Sequence, residues 1–217
     1  MRRSKLLLLF LLLSLTCVAQ KPDDAIDRPT SDPYKGDLSI FEDPERGEKL
    51  QVERVMDLLG MKRGSRVADI GAGSGWFTVR AARRVGDEGV VYAVEINQDY
   101  IRHIKKRATK ERLRNVRTIL GKPDDPLLPA NSVDVVMLLK TYHEIAQPIT
   151  LLRHVREAMR PGARLAVIDK NGNGADHGLN ADAVIKEAAR GGFRLAEQYD
   201  FVKGDKLDYF LIFVPNE

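Results

Sequence analysis

Asp69-Ile70-Gly71-Ala72-Gly73-Ser74-Gly75 is the stretch on which the reading of this chain turns. Val67, Ala68 and Ile70 form the apolar end of a buried strand, and three glycines at alternate positions leave the turn after it without side chains. A ligand can rest against bare backbone there and against the first N–H groups of the next helix. The spacing limits which ligand. A dinucleotide fingerprint places glycine at the first, third and sixth positions. Here the sixth position is Trp76, whose indole would crowd the pyrophosphate or the helix–strand approach. The Gly-Lys-Ser/Thr run of a phosphate-cradling nucleotidase loop is absent as well.

Outward from this turn, strands alternate with amphipathic helices. Apolar patterning predicts strands over residues 66–70, 90–95, 116–120, 133–139 and 164–168, and helices over 45–59, 76–85, 99–112, 148–159 and 181–190. Two last strands, 194–201 and 207–214, flank the turn-like Lys203-Gly204-Asp205 and can pair as a hairpin. The alternation indicates a three-layer α/β fold, a mainly parallel sheet with helices on both faces. In such sheets ligands lie beyond the carboxyl ends of the strands.

The N-terminal residues read as a separate object. Arg2, Arg3 and Lys5 precede an apolar run from Leu6 to Leu13, and small residues lead to Ala19. That is the pattern of a secretory leader cut after Ala19, giving an exported, periplasmic or extracellular protein. Membrane contact is expected only if the leader stays as an anchor or Cys17 carries a lipid. Residues 20–44, rich in Pro, Asp and Lys, read as a flexible lead-in that becomes ordered near Tyr34 or Phe41, and residues 45–217 as one domain. The formal charge is +4, but without the three leader cations 32 basic residues face 31 acidic ones, so charge implies no nucleic-acid partner. A single cysteine excludes an intrachain disulfide.

Glu95 ends the second strand, where a carboxylate can accept two hydrogen bonds from a ribose diol, a geometry that NAD enzymes share. Asp69 either orients the glycine turn, meets a cationic ligand group through water, or caps the turn. Asp124 or Asp125, in a loop stiffened by Pro123 and Pro126, can accept from an exocyclic amine of a base.

Val67 through Gly75, Glu95, the Asp124/Asp125 loop, Leu128-Pro129-Ala130-Asn131-Ser132-Val133-Asp134 and Met159-Arg160-Pro161-Gly162-Ala163-Arg164 together resemble the seven-stranded, class I S-adenosylmethionine-dependent methyltransferases. The resemblance runs from about Glu45 to Val214. It implies strand order 3-2-1-4-5-7-6 with strand seven antiparallel, S-adenosylmethionine as cofactor, and a cofactor site made of Asp69, Gly71, Ala72, Gly73, Gly75, Glu95, Ile96, Asp124 or Asp125, and Lys140. Lys140 departs from the pattern, in which a small or neutral residue is usual. A cation beside a sulfonium is unfavourable unless it points away or pairs with Asp69 or Glu144.

Lys140-Thr141-Tyr142-His143-Glu144 follows the fourth strand, so Tyr142, His143 and Glu144 are candidates to face the methyl acceptor. His143 is a candidate general base with Glu144 fixing its tautomer, or else a helix cap or substrate ligand. The other histidines, 103, 154 and 177, are scattered along the chain and suggest no metal site. Residues 171–180, polar and glycine-bearing, read as a substrate lid or an ordinary connection. The acceptor is expected to be a small molecule. The competing readings are an exported methyltransferase-like binding or assembly module without turnover, and a dinucleotide-dependent oxidoreductase.

Overall fold

The structure, a computed structural model, describes residues 24–203 and 207–216. The proposed leader, Cys17, and Gly204 and Asp205 of the final turn lie outside the described residues. Seven strands form one sheet in the order β3-β2-β1-β4-β5-β7-β6: β1 (Arg66–Ile70), β2 (Val90–Glu95), β3 (Val116–Leu120), β4 (Val133–Leu139), β5 (Met159–Lys170), β6 (Phe193–Tyr199) and β7 (Asp208–Pro215). β1 to β5 pair in parallel, whereas β7 is antiparallel to both β5 and β6. This is the fold expected from the alternation of elements and from the resemblance.

The two-residue period of the strands divides the core. Val136 and Leu138 of β4 pack beneath α5 (Pro148–Ala158) and α6 (Ala181–Arg190), while Val135, Met137 and Leu139 face α2 (Val52–Leu58) and α3 (Trp76–Val85). α4 (Gln98–Lys110) joins the α3 side through Ile104, which packs on Ala72 and Ala93. A strand covered on both faces reads as a continuous apolar run, and β4 is legible in the sequence for that reason.

The expected helix over residues 45–59 is broken. A short α1 (Arg46–Lys49) and α2 meet at Gln51, which sits in the left-handed region at φ 46°. The break brings Arg46 over Trp76, its guanidinium carbon 4.5 Å from the indole centroid, while Gln51 donates to the Phe201 carbonyl at 3.1 Å. The expected lead-in is not loose from Asp24 onward. Arg28 makes a two-bond ion pair with Glu187 of α6 at 2.7 and 3.0 Å, and Arg107 of α4 does the same with Glu42 at 2.6 and 3.1 Å. Between these anchors residues 29–41 run across the carboxyl ends of the strands.

Candidate active site

Beneath that crossing segment lies a cavity of about 650 Å³, within the roughly 300–1,000 Å³ of small-molecule sites. The tips of β1, β2 and β4 form its floor, and Tyr34, Phe41 and Tyr100 contribute to its walls. The glycine turn is held from both sides. Gly71 and Ala72 donate their N–H groups to the Val94 carbonyl at 3.0 and 3.2 Å, and Gly73 N–H donates to Glu95 Oε1 at 2.7 Å.

Gly71 and Gly73 are not interchangeable with larger residues. A side chain on Gly71 (φ 71°) would begin 2.3 Å from Thr141 Oγ1, so β1 and the end of β4 can approach only because nothing stands there. At Gly73 (φ 54°) a first side-chain carbon would meet the Phe41 ring at 3.6 Å, so anything longer would push into the cavity roof.

Glu95 is 8% exposed and accepts from Gly73 N–H with Oε1 and from Ile96 N–H with Oε2, 3.0 Å. Each oxygen keeps a lone pair for a ligand hydroxyl. Burial raises its pKa, opposed by those backbone bonds. Ile96 presents a large apolar side chain, 44% exposed, on the cavity wall.

Asp69, 1% exposed, accepts from Thr78 Oγ1 at 2.6 Å. Burial is the main cause that pushes its carboxyl up to about 7; the Glu95 charge adds to this, and the Thr78 bond and Arg46 oppose it. Asp69 thus ties the end of β1 to α3, and it also borders the cavity. Trp76, the residue at odds with a dinucleotide fingerprint, is held between two guanidinium groups, Arg46 at 4.5 Å and Arg80 at 3.8 Å from its centroid.

Several candidates stand elsewhere than expected. Asp124 and Asp125 do not border the cavity; Lys122, Pro123 and Pro126 do. The loop closes by a short Lys122–Asp125 bridge; Asp125 Oδ1 accepts from Leu127 N–H, and the Asp124 carbonyl meets His154 Nδ1 at 2.9 Å. Gly75 is likewise off the cavity wall, packed against Ile104 of α4. Tyr142 has no exposed surface and belongs to the core under α5, which removes it from the acceptor side. Lys140 borders the cavity but pairs with neither Asp69 nor Glu144. Its ammonium reaches Asp208 Oδ2 on β7 at 2.5 Å, which draws the cation aside.

His143 is 4% exposed, and its partner is not the one expected. Its Nδ1 lies 2.9 and 3.0 Å from the two oxygens of buried Asp169, at the end of β5, whereas Glu144 Oε1 stands 3.9 Å from Nε2. Adjacent side chains diverge, and the carboxylate that orients the ring comes from another strand. Glu144 itself borders the cavity and accepts from Tyr34 N–H at 3.2 Å. Burial pushes its carboxyl up to about 7, against the opposing pull of His143 and of the Tyr34 bond.

The residues that sequence reading missed are mostly in the crossing segment: Ser31, Tyr34, Phe41 and, just after it, Arg46. Aromatic residues isolated in a polar, proline-containing stretch are their one sequence signal. Tyr100 O–H holds the segment by donating to the Tyr34 and Gly36 carbonyls at 3.3 and 3.0 Å.

Residues 61–207 match a family model described as a methyltransferase domain. The chain is 31% identical over 113 residues to aklanonic acid methyltransferase DauC of Streptomyces sp. (strain C5), covering 52% of this chain and 51% of that protein. It is 29% identical over 115 residues to the ubiquinone/menaquinone biosynthesis C-methyltransferase UbiE of Azotobacter vinelandii, covering 52% and 46%. The chain thus spans about half the length of the curated relatives it matches. Among solved structures, a SAM dependent methyltransferase from Aquifex aeolicus superposes with a TM-score of 0.74 at 26% identity, over 82% of this chain and 98% of that one. The [4+2]-cyclase SpnF superposes at 0.66 with 14% identity, over 89% and 88%, a likeness of fold alone.

Proposed function

This chain belongs to the methyltransferase domain family, and from that membership we propose that it transfers a methyl group from S-adenosylmethionine to a small-molecule acceptor akin to those in the relatives' names, aklanonic acid and the quinones. The observation that carries the reading is the glycine turn clamped to Glu95 at the floor of the cavity beneath the crossing segment. The backbone-lined turn and the paired oxygens of Glu95 fit an adenosyl ligand: Glu95 takes the ribose hydroxyls, Ile96 supplies an apolar surface for the base, and Asp69 offers negative charge toward the cationic methionine end. The cofactor supplies a methyl group on sulfur with a good leaving group, so the chain's own task is alignment and exclusion of water. Tyr34, Phe41 and Tyr100 close the cavity over the turn, and the pull of Asp208 on Lys140 keeps a second cation from the sulfonium. On the acceptor side, Glu144 meets the cavity with His143 behind it, and these two are the polar groups nearest the acceptor's reacting atom.

The test is calorimetric. The purified chain should bind S-adenosylmethionine and S-adenosylhomocysteine at one site, and mass spectrometry should detect either compound carried through purification. Glu95→Ala should weaken binding by about 1–3 kcal/mol, the scale of lost hydrogen bonds to a charged group. Wild-type protein that binds neither compound, or a Glu95→Ala protein with unchanged affinity, would remove the assignment.

A further inference from the structure

Two histidines far apart in sequence meet behind Glu144, which borders this cavity. The His143 and His177 rings lie edge to face, 5.8 Å between centroids. One ligating atom each from His143, Glu144 and His177 falls within 4.8 Å of the others. Asp169 is an acceptor for His143 Nδ1, and it also takes the backbone N–H groups of His143 and Lys170 at 3.2 and 2.9 Å. With Nδ1 taken up by Asp169, Nε2 is the ring nitrogen left on the Glu144 side, 3.9 Å from Oε1. This carboxylate–imidazole arrangement is the one that orients a metal-ligating histidine from behind.

The crossing segment holds the three residues together. Ser31 donates its N–H to the His143 carbonyl at 3.2 Å and its hydroxyl to the Gly174 carbonyl at 2.8 Å, while accepting the His177 N–H at 3.0 Å. Glu144 Oε1 and Asp169 Oδ1 approach the two nitrogens of the one imidazole, at 3.9 Å from Nε2 and 2.9 Å from Nδ1.

We propose that His143 Nε2, Glu144 and His177 bind one divalent transition-metal ion of the zinc class. Two imidazoles and one carboxylate suit such an ion and leave a coordination position open. His177, exposed and on a loop, is the member that must draw in to reach metal–nitrogen distances of about 2.0–2.1 Å. The role of the ion rests on the methyltransferase reading. Beside the cavity wall it would take an acceptor oxygen and lower that hydroxyl's pKa. The proton leaves to water, the oxygen bonds to the methyl carbon, and the carbon–sulfur pair returns to sulfur. The acceptor class that follows is a hydroxyl-bearing or enolic ring.

Titration of chelator-stripped full chain with zinc chloride should show one site with Kd of about 1 µM or tighter, and cobalt(II) should give the visible absorption of a low-coordinate centre. His177→Ala, an exposed position, should weaken zinc binding by about 100-fold while leaving S-adenosylhomocysteine affinity unchanged; Asp169→Asn should cost about 10–100-fold. No zinc binding by the wild type, or equal binding by His177→Ala, would overturn the site. Failure of S-adenosylhomocysteine to bind while zinc does would instead sink the methyltransferase reading and leave the metal site standing.

Discussion

Asp69 shows how one buried carboxyl group links stability to ligand. It lies beneath the glycine turn with a pKa raised from 3.8 to about 7 by burial. Between about pH 4 and pH 7 the folded chain therefore keeps a proton that the unfolded chain has released, so stability falls as pH rises through that window and is flat above it. A tenfold difference in proton affinity between the two states corresponds to about 1.4 kcal/mol. Asp69→Asn keeps an acceptor for Thr78 and has no charge to bury. Denaturant unfolding of both proteins at pH 5 and pH 8 should show the variant gaining on wild type at the higher pH by about 2–3 kcal/mol. A difference independent of pH would mean that Asp69 is ionised throughout. A cationic ligand group above the turn favours the ionised form, so the ligand should stabilise wild type more than the variant at pH 8.

At the scale of elements, the crossing segment decides access. It is pinned by Arg28 to α6, by Tyr34 to Glu144 and Tyr100, and by Glu42 to α4, and it lays Phe41 against Gly73. Phe41→Ala should remove part of the roof without touching the strand tips. It should raise the dissociation rate of S-adenosylhomocysteine about tenfold, equivalent to roughly 1.4 kcal/mol, and hasten proteolysis within residues 29–44. Unchanged rates in stopped-flow and proteolysis experiments would show that the segment is no roof. The gap between α1 and α2 belongs to the same construction: an unbroken helix would carry Arg46 away from Trp76. The apolar spacing over residues 45–59 does suit a helix, but local periodicity holds no information about a guanidinium needed elsewhere.

The whole molecule couples the site to the fold through β1, β2 and β4, whose tips form the floor and whose bodies run through both halves of the core. Ligand bound there is bound to the native state alone. S-adenosylhomocysteine at about 100 times its Kd should add about 2.7 kcal/mol, which for a chain of this size raises Tm by roughly 5–10 °C. A calorimetric scan without that shift would place the ligand site away from the sheet tips.

Except for the break within residues 45–59, the sequence alone determined the main strands and helices along the chain, because burial on one or both faces imprints its period on each of them. It also located the Gly71–Gly75 turn and Glu95, since a turn that needs positive φ and close packing demands glycine where it stands. Tertiary structure alone decided the partnerships. Asp169, not the neighbouring Glu144, orients His143, and Asp208 draws Lys140 aside. Asp124 and Asp125 stay off the cavity wall, Tyr142 goes into the core, and His177 arrives at His143 from another loop. Side chains next to each other in sequence point apart, while residues from separate strands converge at the sheet's edge, and only the folded path of the chain sets which of them meet.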